Sequence, residues 1–341
     1  MEGWPVLQGF EIGGVHIAGR VLTAPMTGVS DLPFRRAASK LGAPYVATEM
    51  VACDAFANGR PDVVRRAAVG EGLPLMVVQL VGREAHWISR GAKLAEEAGA
   101  EIIDFNMGCP AKEVTGALSG SALMRDPELA MRLIGAAVEG TTRPVTLKMR
   151  LGWDHASINA PELAARAEQI GVKAITVHGR TRQQFYKGVA DWRAVAAVKA
   201  AVKIPVIVNG DVIDAQSARE ALAQSGADAI MIGRGAYGRP WAASAIDRAL
   251  ANGGRVVEPD MPERLAIVLN HLRDSLNFYG EKHGLKIFRK HLGWYVEYAP
   301  HPADAETRRA AKSQLCQMTS AREVEAALIG LWSGDGLKLA A

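Results

Sequence analysis

EIIDFNMGCPAKEV, residues 101–114, begins as an unbroken apolar run and ends in a cysteine held between a glycine and a proline. Apolarity that is continuous rather than alternating suits a parallel strand covered on both faces. Seven similar runs share the first 240 residues with it: VLTAPM (21–26), YVATEM (45–50), PLMVVQLVG (74–82), PVTLKMR (144–150), AITVHGR (174–180), IPVIVNGD (204–211) and ADAIMIGRG (227–235). Segments of helical periodicity lie between them, among them EAHWISRGAKLAEEAG, PELAARAEQIG and AQSAREALAQSG. Many end in Gly, where a helix C-terminus needs a left-handed residue. Eight β-α units in series predict an α/β fold, a TIM (β/α)8 barrel over residues 1–250. A doubly wound open sheet is the structural alternative, but a nucleotide-binding one usually shows GxGxxG after its first strand. That position reads APMTGVSD.

ANGGRVVEPDMPE reads as a connection, and from Pro262 onward nearly everything reads as helix. A small all-helical domain over residues 251–341 is expected. Its basic stretch, KHGLKIFRKHLGWY, carries Lys282, Lys286, Arg289, Lys290 and His291, and Arg308, Arg309 and Lys312 follow. Composition alone fits a solvated helix face as well as an anion-binding one. Trp294, Tyr295 and Tyr298 could stack on bases, although core packing is the commoner role for such residues.

The 341 residues, 49% apolar and only 6% aromatic, suit a helix-rich α/β enzyme. No apolar run approaches the roughly 18 residues of a membrane span, and MEGWPVLQGFEIGG lacks a signal-peptide pattern. A soluble, cytoplasmic protein is expected, with monomer as the default state. Cys53, Cys109 and Cys316 are too few and too scattered for a disulfide framework or a CxxC zinc site, so free thiols and no metal are expected. A net charge of +4 permits a polyanionic partner without demanding one.

Barrel chemistry sits where strands end, and polar residues are dense there. Strand 3 carries Gln79, strand 4 Asn106 with Cys109 beyond, strand 5 Lys148 and Arg150, and strand 6 His178 and Arg180. Strand 7 ends in Asn209-Gly210-Asp211 and strand 8 in Gly233-Arg234. Glycines beside an arginine at the last two strands mark the usual phosphate site of such barrels. Lys148 can stabilise negative charge on a reduced flavin, and Gln79 and Asn106 offer amide edges to its pyrimidine ring. These residues favour FMN, with a sugar phosphate second. Cys109 could be a nucleophile, a metal ligand, a general acid or an inert buried thiol. No activating base or further ligand stands at matched spacing, and a thiol with an ordinary pKa of about 8.5 carries a proton at neutral pH. That suits an acid facing a hydride donor.

The chain resembles the bacterial tRNA-dihydrouridine synthases, most closely the B-type branch. The likeness rests on APMTGVSDLPFR (24–35), VQL (78–80), NMGCPAKEV (106–114), TLKMRLGW (146–153), VHGRTRQQFYKGVADW (177–192), VNGD (208–211), MIGRGAYGRPW (231–241) and RKHLGWY (289–295). It implies an FMN enzyme that takes hydride from NADPH or NADH and reduces uridine in the tRNA D-loop to 5,6-dihydrouridine, at position 17 by B-type likeness. Carried over, Pro25, Met26, Thr27, Gln79 and Lys148 contact the flavin rings, and Asn209, Gly210, Asp211, Gly233 and Arg234 hold the ribityl phosphate. Cys109 protonates C5 after hydride reaches C6. Asn106 and His178 line the pocket between flavin and uracil. Lys112, Arg180, Arg182 and the basic helix with Lys286, Arg289 and Lys290 are the expected phosphate contacts. Relatives often carry further basic residues after Lys112, where this chain has Glu113 and Ala117, which weakens that loop's approach to RNA.

Overall fold

A computed structural model describes residues 8–68, 70, 73–115, 119–299 and 304–333. Its strands are β1 (Phe10–Ile12), β2 (Val15–Ile17), β3 (Val21–Thr23), β4 (Val51–Ala52), β5 (Val77–Val81), β6 (Ile102–Met107), β7 (Val145–Arg150), β8 (Ala174–His178), β9 (Val206–Asn209) and β10 (Ala229–Ile232). Strands β3 to β10 form an eight-stranded sheet in the order β3-β10-β9-β8-β7-β6-β5-β4, all pairs parallel. Parallel bridges Thr23↔Val46 and Ala47↔Val77 close it into the barrel that the sequence predicts.

The run at 45–50 is the one strand that does not form as expected. The Thr48 hydroxyl accepts the Gln79 amide at 3.0 Å and donates to the Glu49 carbonyl at 2.8 Å. A side chain thereby replaces a ladder carbonyl, and regular pairing resumes only at β4. The sequence reading also passed over the β1–β2 hairpin, whose turn residues Gly13 and Gly14 both have positive φ (57° and 86°). That is the backbone a two-residue hairpin turn needs. Ile12 and Ile17 of this hairpin join Leu22, Val77, Ile102, Ala174 and Ile207 in the barrel's inner core.

The helices are α1 (Leu32–Lys40), α2 (Cys53–Ala57), α3 (Pro61–Arg66), α4 (Ala85–Glu97), α5 (Lys112–Thr115), α6 (Pro127–Glu139), α7 (Ala160–Ile170), α8 (Trp192–Ala201), α9 (Ala215–Ser225) and α10 (Ala242–Ala251). Local chemistry fixes their ends. Asp31, Asp126, Asp191 and Asp214 each accept a first-turn amide, a cap worth about 1 kcal/mol. Gly171 (φ 119°) and Gly226 (φ 63°) stop α7 and α9.

Four further helices, α11 (Met261–Tyr279), α12 (Glu281–Tyr298), α13 (Ala305–Gln317) and α14 (Ala321–Ser333), build a second core from Leu272, Phe288, Leu292, Tyr295, Leu315 and Leu328. Asp260 and Glu263 form a capping box that starts α11. This bundle packs against α1 and the loop after β10. Phe34 stacks on His291 at 5.5 Å, Tyr237 stacks on Trp294 at 3.9 Å, and Arg36 pairs with Asp274 at 3.3 Å. Among the described residues, no helix is long and apolar enough to cross a membrane.

Candidate active site at the barrel mouth

A cleft of about 710 Å³ opens at the C-terminal ends of the strands. It is lined by Pro25, Met26, Lys148, His178, Asn209, Gly210, Asp211, Gly233 and Arg234, nine residues that the sequence points to. At its centre the Lys148 ammonium donates to Asn209 Oδ1 at 3.0 Å, and Asn209 Nδ2 donates to the Met231 carbonyl at 2.7 Å. Burial pulls the Lys148 pKa down from 10.5 to about 8, against the attraction of the Asp104 carboxylate. His178 is held well below its ordinary range by burial and by the cations Arg150, Lys148, Arg180 and Arg234. The ring is neutral at pH 7. Its Nε2 accepts from Arg180 at 3.2 Å, which leaves Nδ1–H as its donor.

The turn after β9 is built around Asp211, a non-glycine residue at φ 56° next to Gly210 at φ 116°. Asp211 accepts the Arg180 fork at 2.9 and 2.5 Å, Arg234 at 3.0 Å and the Ala190 amide at 2.8 Å. Burial alone would raise its pKa, but the hydrogen bonds from Arg180 and Ala190 outweigh it and the group lies below its ordinary value. The bonds hold the turn open beside Gly233. A Cβ built on Gly233 meets nothing closer than Ala24 Cβ and Met26 Sδ, each at 4.0 Å, so the missing side chain leaves room in the cleft. Three glycines (Gly210, Gly233, Gly235), a half-exposed Arg234 and the Lys148 ammonium fit an elongated anionic group with a phosphate at the β9–β10 end.

Cys109 is half-buried on the loop after β6, and its backbone is fixed on both sides. Its amide donates to Asn106 Oδ1 at 3.0 Å, and its carbonyl accepts from Ser121 N at 3.0 Å and Ser121 Oγ at 2.8 Å. Arg150 ties the same loop to the loop after β8, donating to the carbonyls of Gly108 (2.8 Å), Thr181 (2.9 Å) and Phe185 (2.8 Å). Cys109 is not among the cleft-lining residues, but its sulfur is close enough to act electrostatically on Lys148, which is, and on Arg150.

Several expected contacts are placed differently. Gln79 and Asn106 do not line the cleft; they are only 1% and 6% exposed. Gln79 Nε2 donates to Asp104 Oδ2 at 2.6 Å, Asn106 Nδ2 donates to Gln79 Oε1 at 2.8 Å, and Thr146 Oγ1 donates to Asp104 Oδ1 at 2.7 Å. This chain across β5, β6 and β7 ends at the Cys109 amide. Arg180 is also corrected as a phosphate contact. It is 1% exposed, and its donors go to Asp211, His178, Lys187 and Gly188. No N–H is left for RNA. Thr27 is exposed on the first loop and is not among the cleft-lining residues.

Lys112 is exposed at the start of α5; the Glu113 side chain and Ala117 lie outside the described residues. Arg182 and Arg125 lie over the Trp153 ring at 4.7 and 4.8 Å. On α12, Lys282, Lys286 and Lys290 are exposed at intervals of four residues, with Arg289 half-buried beside them. They form one basic stripe. Lys290 reaches the first loop, its Nζ 2.2 Å from where a Cβ on Gly28 would stand. Tyr295 is core and Trp294 packs on Tyr237, so of the three tail aromatics only Tyr298 is exposed.

The dihydrouridine synthase (Dus) family profile matches residues 22–329. The chain belongs to the dihydrouridine synthase family. A probable tRNA-dihydrouridine synthase of Rhodobacter capsulatus is 54% identical over 292 residues, 85% of this chain and 90% of that one. One of Rhizobium leguminosarum is 50% identical over 92% of this chain and 95% of its own. The tRNA-dihydrouridine synthase B of Xanthomonas axonopodis is 44% identical over 86% and 89%. Among solved structures, histamine dehydrogenase from a Rhizobium species aligns with TM-score 0.57 at 13% identity, over 79% of this chain and 50% of that one. Morphinone reductase in complex with tetrahydroNAD aligns with TM-score 0.52 at 16% identity, over 76% and 93%. These two share the barrel fold.

In this synthase, two cleft residues escaped the sequence reading. Tyr186 stands half-exposed with the Arg150 and Arg234 guanidinium groups each 5.5 Å from its ring centre. Tyr237 lines the same cleft and stacks on Trp294 of α12. Both lie inside quoted motifs, QQFYKG and GRGAYG, but a loop aromatic carries no spacing signal.

Proposed function

We propose that the protein is a flavin-dependent reductase of uridine in the D-loop of tRNA, with FMN as cofactor and NADPH or NADH as reductant, working in the cytoplasm. Residues 1–250 form the flavin-binding barrel and residues 251–341 the tRNA-binding helical domain. What carries the reading is the Cys109 thiol, held on a doubly anchored loop within electrostatic reach of Lys148, which itself lines the glycine-rich, cationic cleft. Pro25, Met26, Lys148 and Asn209 would hold the flavin rings, and Gly210, Gly233 and Arg234 would receive the phosphate. Asp211 positions Arg234 and, through Arg180, orients His178.

FMN held in the cleft would supply the hydride for reducing uracil. Cys109 gives its proton to C5, so the C5–C6 double bond is reduced and a thiolate remains, which solvent reprotonates. Lys148 and Arg150 stabilise that thiolate meanwhile. A uridine must leave its stack to enter the cleft, which requires a grip on flanking backbone. Lys112, Arg182, Lys286, Arg289 and Lys290 provide that grip, and half-exposed Tyr186 offers a ring to the extruded base.

The test is a visible spectrum of the purified protein and chromatography of any released chromophore, followed by incubation with undermodified tRNA and NADPH. FMN in the protein and dihydrouridine in the tRNA are the expected results. A protein that neither carries nor takes up FMN refutes the reading, and activity on free uridine but not on tRNA removes the tail from it.

A further inference from the structure

Where the helical bundle meets the barrel, three buried side chains converge. Asp31 caps α1 directly after the first loop, His271 lies on α11 and His291 on α12; they are 5%, 1% and 2% exposed. One ligand atom from each lies within 4.8 Å of the other two. Asp31 Oδ2, His271 Nε2 and His291 Nε2 meet no hydrogen-bond partner among the described residues. Buried polar atoms are rarely left this way, and one cation held between the three side chains would satisfy all of them.

The opposite edges of the rings show what kind of group fits. The Val29 carbonyl accepts from the His291 ring, which commits Nδ1–H and leaves Nε2 a bare lone pair. His271 Nδ1 lies 2.8 Å from the Tyr295 hydroxyl, a contact in which either group can donate; when Nδ1–H donates, Nε2 is a bare lone pair too. Metal-binding imidazoles are commonly oriented this way, with the second nitrogen donating to a carbonyl or similar acceptor. Asp31 Oδ1 accepts the Phe34 amide at 3.1 Å and the Tyr279 hydroxyl lies near the carboxyl, but Oδ2 makes no hydrogen bond of good geometry. Glu49 adds negative potential at the site, opposed by Arg35.

We propose that Asp31, His271 and His291 form a structural site for a divalent transition-metal ion of the zinc class, which clamps the helical bundle onto the barrel. Two imidazole nitrogens and one carboxylate oxygen suit zinc, with bonds of about 2.0–2.2 Å. Small side-chain rotations bring the three atoms to that spacing. The ion would cross-link α1, α11 and α12 directly behind the loop that contributes Pro25 and Met26 to the cleft. Residues 31, 271 and 291 form no local spacing motif.

The experiment uses the full chain with its flavin. Metal content is measured after purification without chelators; the protein is then stripped and titrated with Zn²⁺ alone or Co²⁺ alone. The site predicts about one ion per chain and a melting temperature raised by roughly 5 °C at a hundredfold excess over Kd. It predicts visible cobalt bands without a thiolate charge-transfer band, and loss of all three signals in Asp31→Asn. Should that variant not fold, the wild-type stoichiometry and melting shift decide. No stoichiometric ion and no shift with Zn²⁺ overturn the proposal in favour of a proton on Asp31, whose carboxyl burial pushes up to about 7. A thiolate band, or binding undiminished in Asp31→Asn, overturns it in favour of a cysteine site.

Discussion

Replacing Asn106 with alanine removes three hydrogen bonds at once: from the Gly108 amide at 3.2 Å, from the Cys109 amide at 3.0 Å, and to Gln79 Oε1 at 2.8 Å. Each contributes about 0.5–1.5 kcal/mol net, and a buried partner left unmatched costs about 1–3 kcal/mol. The amides of Gly108 and Cys109 belong to half-buried residues and regain water in part, whereas Gln79 does not. A stability loss of about 3 kcal/mol follows. The kinetic effect is separable, because the amide fixes where the Cys109 thiol stands, and a displacement of about 1 Å costs about 10²-fold in rate. Anaerobic stopped-flow resolves the two half-reactions. Flavin reduction by NADPH should proceed at the wild-type rate, while flavin reoxidation by undermodified tRNA slows about 10²-fold. Wild-type reoxidation in a destabilised variant would refute the positioning role, and an unchanged melting temperature would refute the network itself.

Lys148 loses its charge as pH rises through about 8, so flavin affinity should fall by up to about tenfold per pH unit above that value, and Lys148→Met should abolish the dependence. In the flavin-free protein the sign differs. The folded pKa lies below the unfolded one, so the burial penalty of Lys148 is full below about pH 8 and fades by about pH 10.4; urea titrations at several pH values read this. Asp211→Ala leaves buried Arg180 without its carboxylate and should cost about 3–5 kcal/mol in urea unfolding, whereas a loss under about 1 kcal/mol contradicts the pair's role. Reversing Lys286 and Lys290 to Glu should weaken tRNA binding and lower the slope of log K against log salt by about 1–2, with no effect on flavin content; an unchanged slope removes α12 from the interface.

The strands could be read from the sequence because their apolarity is continuous and their ends carry the site. The run at 45–50 broke the pattern because the Thr48 hydroxyl entered the ladder, which no residue-level pattern signals. Lys148, Asn209, Gly210, Asp211, Gly233 and Arg234 were legible because strand ends are where a barrel presents chemistry. Gln79, Asn106 and Arg180 were assigned direct contacts, yet their partners Asp104 and Asp211 lie 25 and 31 residues away from Gln79 and Arg180, and only folding brings them together. Tyr237 shows the same limit. Its value comes from stacking on Trp294 of a helix the sequence read as a separate unit.

The most direct test maps dihydrouridine by mass spectrometry in undermodified tRNA treated with NADPH and either the wild-type protein or Cys109→Ala. With the wild type, dihydrouridine is expected in the D-loop. Cys109→Ala should keep its full FMN content and make product about 10²–10⁴-fold more slowly. Equal product from both proteins, or none in the D-loop from flavin-loaded wild type, would contradict it.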